Sequence, residues 1–296
     1  MKKLGTLFLG ILLSGFLYAQ TDTAILLKEV SVTATRKNQL SLLSPYSVSK
    51  LSLQNIDQFQ SRTTPEALIG NAGVFVQKTN HGGGSPFVRS LTGNQNLLMI
   101  DGIRLNNATY RYGPNQYFNT IDLFSVESIE VARGTGSVQY GSDAMGGVVQ
   151  VFTKSLAFTN KPKWSGNFIG RLLSNDAEYT GRGELGYSSA KMTFQIGYTA
   201  RKFGDLPGGD TMGIQQPSGY KENAIDLKFR WQLNDRWLLT AAHQQLNQSN
   251  VPLYHRVALE NFAYYQFDPQ ERQLSYLKME GKFSSPILSA ISFTAS

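Results

Sequence analysis

NQNLLMIDGIRLNN (residues 94–107), a Tyr-, Arg- and Asn-rich insert, and then VESIEVARGTGSVQYGSDAMGGVVQVFTK (residues 126–154) form the stretch that decides the fold. Short apolar runs at Leu97–Ile100, Ser128–Val131 and Val148–Phe152 alternate with Asp101-Gly102, Gly134, Gly136, Gly141 and Gly146-Gly147, the pattern of buried strands joined by tight turns. A small mixed α/β sheet is predicted here. The glycines do not make a phosphate loop. Gln139 stands where a dinucleotide fingerprint needs Gly, and Ser142 where a P-loop needs Lys.

Leu97 to Arg104 reads Leu-x-x-x-Asp-Gly-x-Arg, and Ile129 to Val148 reads Ile-Glu-Val-x-Arg-Gly followed by Tyr-Gly-Ser-x-Ala-x-Gly-Gly-Val. Together, in this order, they resemble the plug domain of TonB-dependent outer-membrane receptors. The resemblance implies an α+β plug domain followed by antiparallel transmembrane β-barrel strands. It also implies that Arg89 and Arg133, with Glu127 and Glu130 nearby, lock the plug to the barrel. Two residues depart from the family's habit: Ser90 stands where Gly is usual, and Thr135 where Pro is usual.

Upstream, Lys2-Lys3, the apolar run Leu4–Leu17 and Tyr18-Ala19-Gln20 read as a secretory signal over residues 1–19, too short to span a bilayer comfortably. Residues 20–36 read as a mobile N-terminus in which Glu29, Val30, Ser31, Val32, Thr33 and Ala34 alternate with the period of a strand able to join a sheet edge. This segment resembles the family's TonB box, which makes TonB its expected partner. The plug is placed at residues 37–155. Within it a strand is predicted at Tyr46–Leu51, a helix at Leu53–Phe59 turning Leu53, Ile56 and Phe59 to one side, a helix starting at Thr64-Pro65-Glu66, and a strand at Val74–Gln77. Asn80-His81-Gly-Gly-Gly-Ser85-Pro86 reads as an open loop, Gly93-Asn94 as a hairpin turn into Leu97–Ile100, and Asp101-Gly102 as a second tight turn.

From Trp164 the texture changes. Met192, Phe194, Ile196 and Tyr198 oppose Thr193, Gln195, Thr199 and Arg201, while Ile225, Leu227, Phe229 and Trp231 oppose Asp226, Lys228, Arg230 and Gln232. Weaker alternation covers Trp164–Leu173, Tyr179–Ser188, Trp237–Leu246, Leu274–Phe283 and 287–295, which gives about seven spanning strands over residues 156–296. Short turns at 188–190, 233–235 and 284–286 face long loops at 203–220 and 248–270, and all three tryptophans fall at the short-turn end. That distribution is an outer-membrane pattern with a periplasmic aromatic girdle. A plug-bearing barrel needs about 22 strands, so the barrel is expected to be incomplete: a truncated product or a partial record. Expressed alone it is expected to aggregate through its unpaired strand edges.

A net charge of +7 is scattered rather than clustered, and no nucleic-acid partner is read from it. Cysteine is absent, no Gly-x-Ser-x-Gly occurs, and the three histidines lack metal-type spacing, so no enzyme and no resident metal is expected. The expected cargo is a ferric siderophore, with haem (or haemoglobin) and cobalamin as alternatives; no cofactor is expected beyond iron or cobalt carried in that ligand. Candidate ligand residues are His81, Tyr110, Arg111, Tyr112, Asn115, Tyr117, Tyr254 and His255, with His81 and His255 reserved for haem. Asp205 and Asp210 are weak candidates for calcium. A passive porin or a non-transporting surface-binding protein is the competing class, and outer-membrane lipid is the expected surroundings.

Overall fold

The computed structural model describes residues 31–32, 39–40, 47–78, 81–105, 113–174, 177–209, 211–284 and 288–296. The signal segment, Glu29, Val30, Thr33, Ala34, Tyr110, Arg111, Tyr112 and Asp210 lie outside them. A two-residue ladder pairs β1 (Ser31–Val32) with β2 (Gln39–Leu40), antiparallel.

The expected plug contains β3 (Ser47–Ser52), α1 (Leu53–Gln58), β4 (Val74–Gln77), β5 (Ser85–Val88), β6 (Asn96–Ile100), β7 (Ile103–Arg104), β8 (Val126–Arg133), α2 (Ser137–Tyr140) and β9 (Gly147–Thr153). Five strands form one mixed sheet in the order β3-β8-β9-β6-β7, with β6 and β9 parallel. Every residue of β6 is buried, as the apolar run Leu97–Ile100 requires of a strand covered on both faces. Leu98 and Ile100 pack with Phe118, Ile129, Val131, Val149 and Val151 on one face, while Leu97 and Met99 pack with Tyr140 and Val148 on the other. Asp101 (φ 50) and Gly102 (φ 90) make the tight β6–β7 turn, which needs positive φ at both central positions.

Two local expectations change. Ser52 and Asn55 cap α1 reciprocally and Ile56 is buried, but the helix ends at Gln58 and Phe59 is 69% exposed. The helix from Thr64 shrinks to one 3-10 turn, Glu66–Leu68. Thr64 Oγ1 donates to the Ile121 carbonyl instead of capping, and Ile69 is already extended (ψ 133).

The second region is an antiparallel meander of seven strands. Its members are β10 (Lys163–Leu173), β11 (Glu178–Ser188), β12 (Met192–Phe203), β15 (Tyr220–Gln232), β16 (Trp237–Ser249), β19 (Gln270–Lys282) and β20 (Ala290–Ala295). The long loops hold the small ladders β13 (Leu206–Pro207) with β14 (Ile214–Gln215), and β17 (Val251–Pro252) with β18 (Gln266–Phe267), and the helix α3 (Tyr254–Leu259). Along β12, Thr193, Gln195, Thr199 and Arg201 are buried toward the plug while Met192, Phe194 and Tyr198 are exposed on the far side. At the short-turn end Trp164 packs on Tyr187 at 5.1 Å between centroids and Trp237 meets Phe283 edge-on at 5.6 Å, the aromatic belt the sequence pointed to.

Candidate functional site

The plug and the strand wall meet along a buried polar seam. Arg182 on β11 is its hub. The guanidinium, fully buried, lies 3.1 Å from Asp122 of the plug, 2.8 Å from Asp226 on β15 and 2.7 Å from Glu184 on its own strand, and Thr199 Oγ1 donates to the same Asp122 oxygen at 2.7 Å. Asp122 is aimed by its local structure: its other carboxylate oxygen caps the 3-10 turn Leu123–Ser125 by accepting from the Phe124 N–H. A second hub, Arg201 on β12, pairs with Glu178 at 2.9 Å and Glu222 at 3.2 Å and donates to the Arg62 carbonyl of the plug at 2.5 Å. Arg171 and Arg201 also stack over the Phe124 ring, at 5.1 and 5.3 Å.

A third tie uses the β6–β7 turn. Tyr276 on β19 donates to Asp101 Oδ2 at 2.9 Å, and Lys228 on β15 lies 3.4 Å from the same oxygen. Thr153 of β9 holds that carboxylate from within the plug by its N–H (2.9 Å) and hydroxyl (2.6 Å). Plug carbonyls complete the seam: Arg171 reaches Ser61, Gln248 reaches Asn119 and Arg272 reaches Thr120, at 2.8 to 3.2 Å. Most of these ties set a strand cation against a plug carboxylate or carbonyl; Lys154 of the plug, 2.9 Å from Glu184 on β11, runs the other way. Charge-assisted bonds of this kind are the strong ones, and they lie where water is excluded.

At the long-loop end a cleft of about 260 Å³ opens between the plug and α3. Its walls include Asn115 and Gln116 from the plug and His255, Arg256, Tyr265 and Phe267 from the long loop. Arg256 is half-exposed, ion-paired with Glu260 and 5.8 Å from the Tyr265 ring, so a guanidinium, an imidazole and a phenol share one opening. Such a set suits a ligand that is both flat and negatively charged or amide-rich.

Residues 42–148 match the TonB-dependent Receptor Plug Domain family. The Vitamin B12 transporter BtuB of Vibrio cholerae is 31% identical over 242 residues, which is 79% of this chain and 38% of that relative. The chain belongs to the TonB-dependent outer-membrane receptors. The iron-regulated outer membrane virulence protein of V. cholerae is 32% identical over 168 residues, covering 54% of this chain and 24% of that protein. Among solved structures, the siderophore receptor PirA of Acinetobacter baumannii superposes with a TM-score of 0.61 at 18% identity, over 83% of this chain and 39% of that one. The copper transporter OprC superposes at 0.65 with 14% identity, over 83% of this chain and 36% of that one. The chain thus spans well under half the length of these relatives, which are named as transporters and receptors: it holds the receptor's plug and part of its barrel, and it is an outer-membrane protein.

Within that receptor frame the predicted site residues scatter. Asn115 and His255 meet in the cleft; Tyr254 stands beside it on α3, and Tyr117 is half-buried in a 3-10 turn (Tyr117–Thr120). His81 is displaced from its expected role. Instead of topping an open loop it is fully buried, edge-on to Phe203 at 4.6 Å and to Tyr220 at 5.7 Å. Burial, with Arg62 and Lys78 adding positive potential, pushes its imidazole down to about 3. Beside it, burial pushes the Glu66 carboxyl up, but Lys78 and Arg62 outweigh that and hold it down at about 2.

The arginines expected as the lock are not the plug cations that meet the strand wall among the described residues; Lys154 is, 2.9 Å from Glu184. Arg133 stays within the plug, donating to Ser47 and Ser49 hydroxyls at 3.3 and 2.8 Å and to Asn71 at 3.1 Å; Glu130 has Lys50, its neighbour on β3, at 3.5 Å. Arg89 is exposed in a turn, and Glu127 is exposed at a small hollow shared with Lys154 and Glu184. Glu130 and Arg133 point to opposite faces of β8, and polar side chains of the plug meet each of them: Lys50 of β3 on one face, Ser47, Ser49 and Asn71 on the other. Asp205, the calcium candidate, instead accepts the Ser218 and Gly219 N–H groups at 2.7 and 2.8 Å. Asp101, Asp122, Arg182 and Lys228 were missed as seam residues. For the strand pair the signal was the charge at plug-facing positions; Asp122 carried none.

Proposed function

We propose that the full gene product imports a bulky metal-chelate nutrient across the outer membrane, with the work supplied by TonB through the segment around β1. The seam is the observation that supports this reading. A passive porin needs an open lumen and a surface binder needs no plug, whereas here a folded plug is held to the wall by side-chain pairs rather than by a continuous apolar face. Such an interface combines two properties: each pair is costly to break singly, but its net worth against separated and rehydrated partners is small. A plug held this way stays seated until it is pulled. The cleft above it lets ligand touch the plug and the outer loop together, through Asn115 on one side and His255, Arg256 and Tyr265 on the other.

The cleft's guanidinium and phenol favour an anionic ferric siderophore as cargo. Cobalamin is the second reading, favoured by the 31% identity to relatives named as vitamin B12 transporters. Haem loses its plug ligand, since the His81 ring is sealed beneath Phe203 and Tyr220.

The test is uptake of labelled ferric siderophore, cyanocobalamin and haemin by cells carrying the full gene product, in wild type and Val32→Pro. Proline at Val32 removes a strand donor and should abolish uptake while leaving binding intact. Undiminished uptake in that variant, or accumulation of none of the three, overturns the proposal.

A further inference from the structure

The outer wall of the meander carries a charge pattern that plug seating does not use. Lys202 on β12 and Lys221 on β15 are direct cross-strand partners, and both point away from the plug into the surroundings. Neither has an ion-pair partner among the described residues. Like charges placed opposite one another destabilise a strand pair, so an anion held between them would relieve a repulsion built into the wall. Two hollows open on either side of this pair and share both lysines. One, of about 360 Å³, runs along the outer wall past Leu172, Tyr179, Gly181 and Ala200. The other, of about 570 Å³, lies at the strand ends beside Gly204, Ile214 and Asn250.

Height on the wall identifies the occupant. Trp231 marks the short-turn belt, and Lys221 lies ten residues away on the same strand. At about 3.3 Å per residue that is roughly 33 Å along β15. A strand tilt of about 40° reduces it to roughly 25 Å along the barrel axis, the height of the apolar band of an outer-membrane barrel. Lys202 and Lys221 therefore stand at the outer boundary of the bilayer, where head groups lie, and the groove past Gly181 and Ala200 descends from them into the apolar zone. Tyr198 donates to Asn223 at 3.3 Å on the same face, one more polar contact near this boundary.

We infer that Lys202 and Lys221 bind the phosphate of a phosphorylated lipid of the outer leaflet, with an acyl chain lying in the groove lined by Leu172, Tyr179, Gly181 and Ala200. The inference rests on the outer-membrane placement of the wall and is independent of the nutrient carried. The test uses the full gene product purified from outer membranes in mild detergent, with retained lipid extracted and quantified by mass spectrometry. The Lys202→Gln/Lys221→Gln double variant should lose phosphorylated lipid by about tenfold or more, and Lys202→Arg/Lys221→Arg should keep it. Millimolar inorganic phosphate should not displace the lipid. Both variants should still be recovered from membranes as heat-modifiable protein, because the lysines are exposed; this separates loss of the site from loss of the barrel. Equal retention by the Gln variant overturns the inference, as does displacement by inorganic phosphate or equal enrichment of zwitterionic lipid.

Discussion

Removing the Arg182 guanidinium should unseat the plug, and the size of the effect follows from its surroundings. The side chain is fully buried and contacts Asp122, Asp226 and Glu184 at 2.7 to 3.1 Å. Arg182→Met keeps most of the volume but strands Asp122 and Asp226, while Glu184 retains Lys154 at 2.9 Å. Breaking one partner out of a buried pair costs about 3–5 kcal/mol. Asp122→Asn is milder: the amide oxygen can still cap the Phe124 N–H, so the loss is about 1.5–3 kcal/mol, that of a charge-assisted bond. In the double variant no Asp122 charge is left behind, so the two losses should fall short of additivity by about 1–3 kcal/mol. The chain has no cysteine, so one introduced at Ala132, buried in the plug, reports loss of plug structure by thiol labelling across a urea titration of the full gene product. Strictly additive losses, with coupling below about 0.5 kcal/mol, would refute the assignment of this pair as the plug's tether.

Three further outcomes are expected. Arg89 (φ 52) and Ser90 (φ 66) both hold left-handed backbone in the turn that follows β5, so Ser90→Gly should stabilise the plug by about 1 kcal/mol in the same titration, and a loss would contradict the turn. His81 is buried neutral with its pKa depressed from 6.5 to about 3, so the stability it contributes is complete above about pH 6.5 and declines as pH falls toward 3. Between pH 6.5 and about 5, above the range in which the depressed Glu66 carboxylate contributes, the slope should approach about 1.4 kcal/mol per pH unit and be lost in His81→Phe, as read by urea midpoints between about pH 7 and pH 5. Arg256→Ala, His255→Ala and Tyr265→Ala should each weaken ligand binding by about 1–3 kcal/mol if the cleft is the recognition site, measured by titration with the transported nutrient; binding unchanged in all three moves recognition elsewhere.

Much of the architecture was legible because it is written in local periodicity. The alternation along residues 164–295 marked all seven strands of the meander, and Trp164, Trp231 and Trp237 marked its short-turn end. Asp101-Gly102 announced its turn because positive φ is a local requirement. The seam was not legible, since it joins residues far apart in sequence: Asp122 to Arg182, Asp101 to Tyr276. Arg133 looked like a lock from its place in a motif, yet which carboxylate or hydroxyl reaches a guanidinium first is settled by the sheet order that puts β3 beside β8. His81 misled for a related reason. A run of glycines reads as an open loop, but the same lack of bulk lets the wall close over it: a Cβ on Gly82 would lie 2.5 Å from Val251.

The central claim is that a seated plug is released by work delivered from outside the membrane plane. It is tested most directly by measuring binding and accumulation of the same labelled nutrient in cells carrying the full gene product, before and after an uncoupler collapses the proton-motive force. The account predicts that surface binding persists while accumulation falls to background; accumulation continuing at its energised rate in uncoupled cells would contradict it.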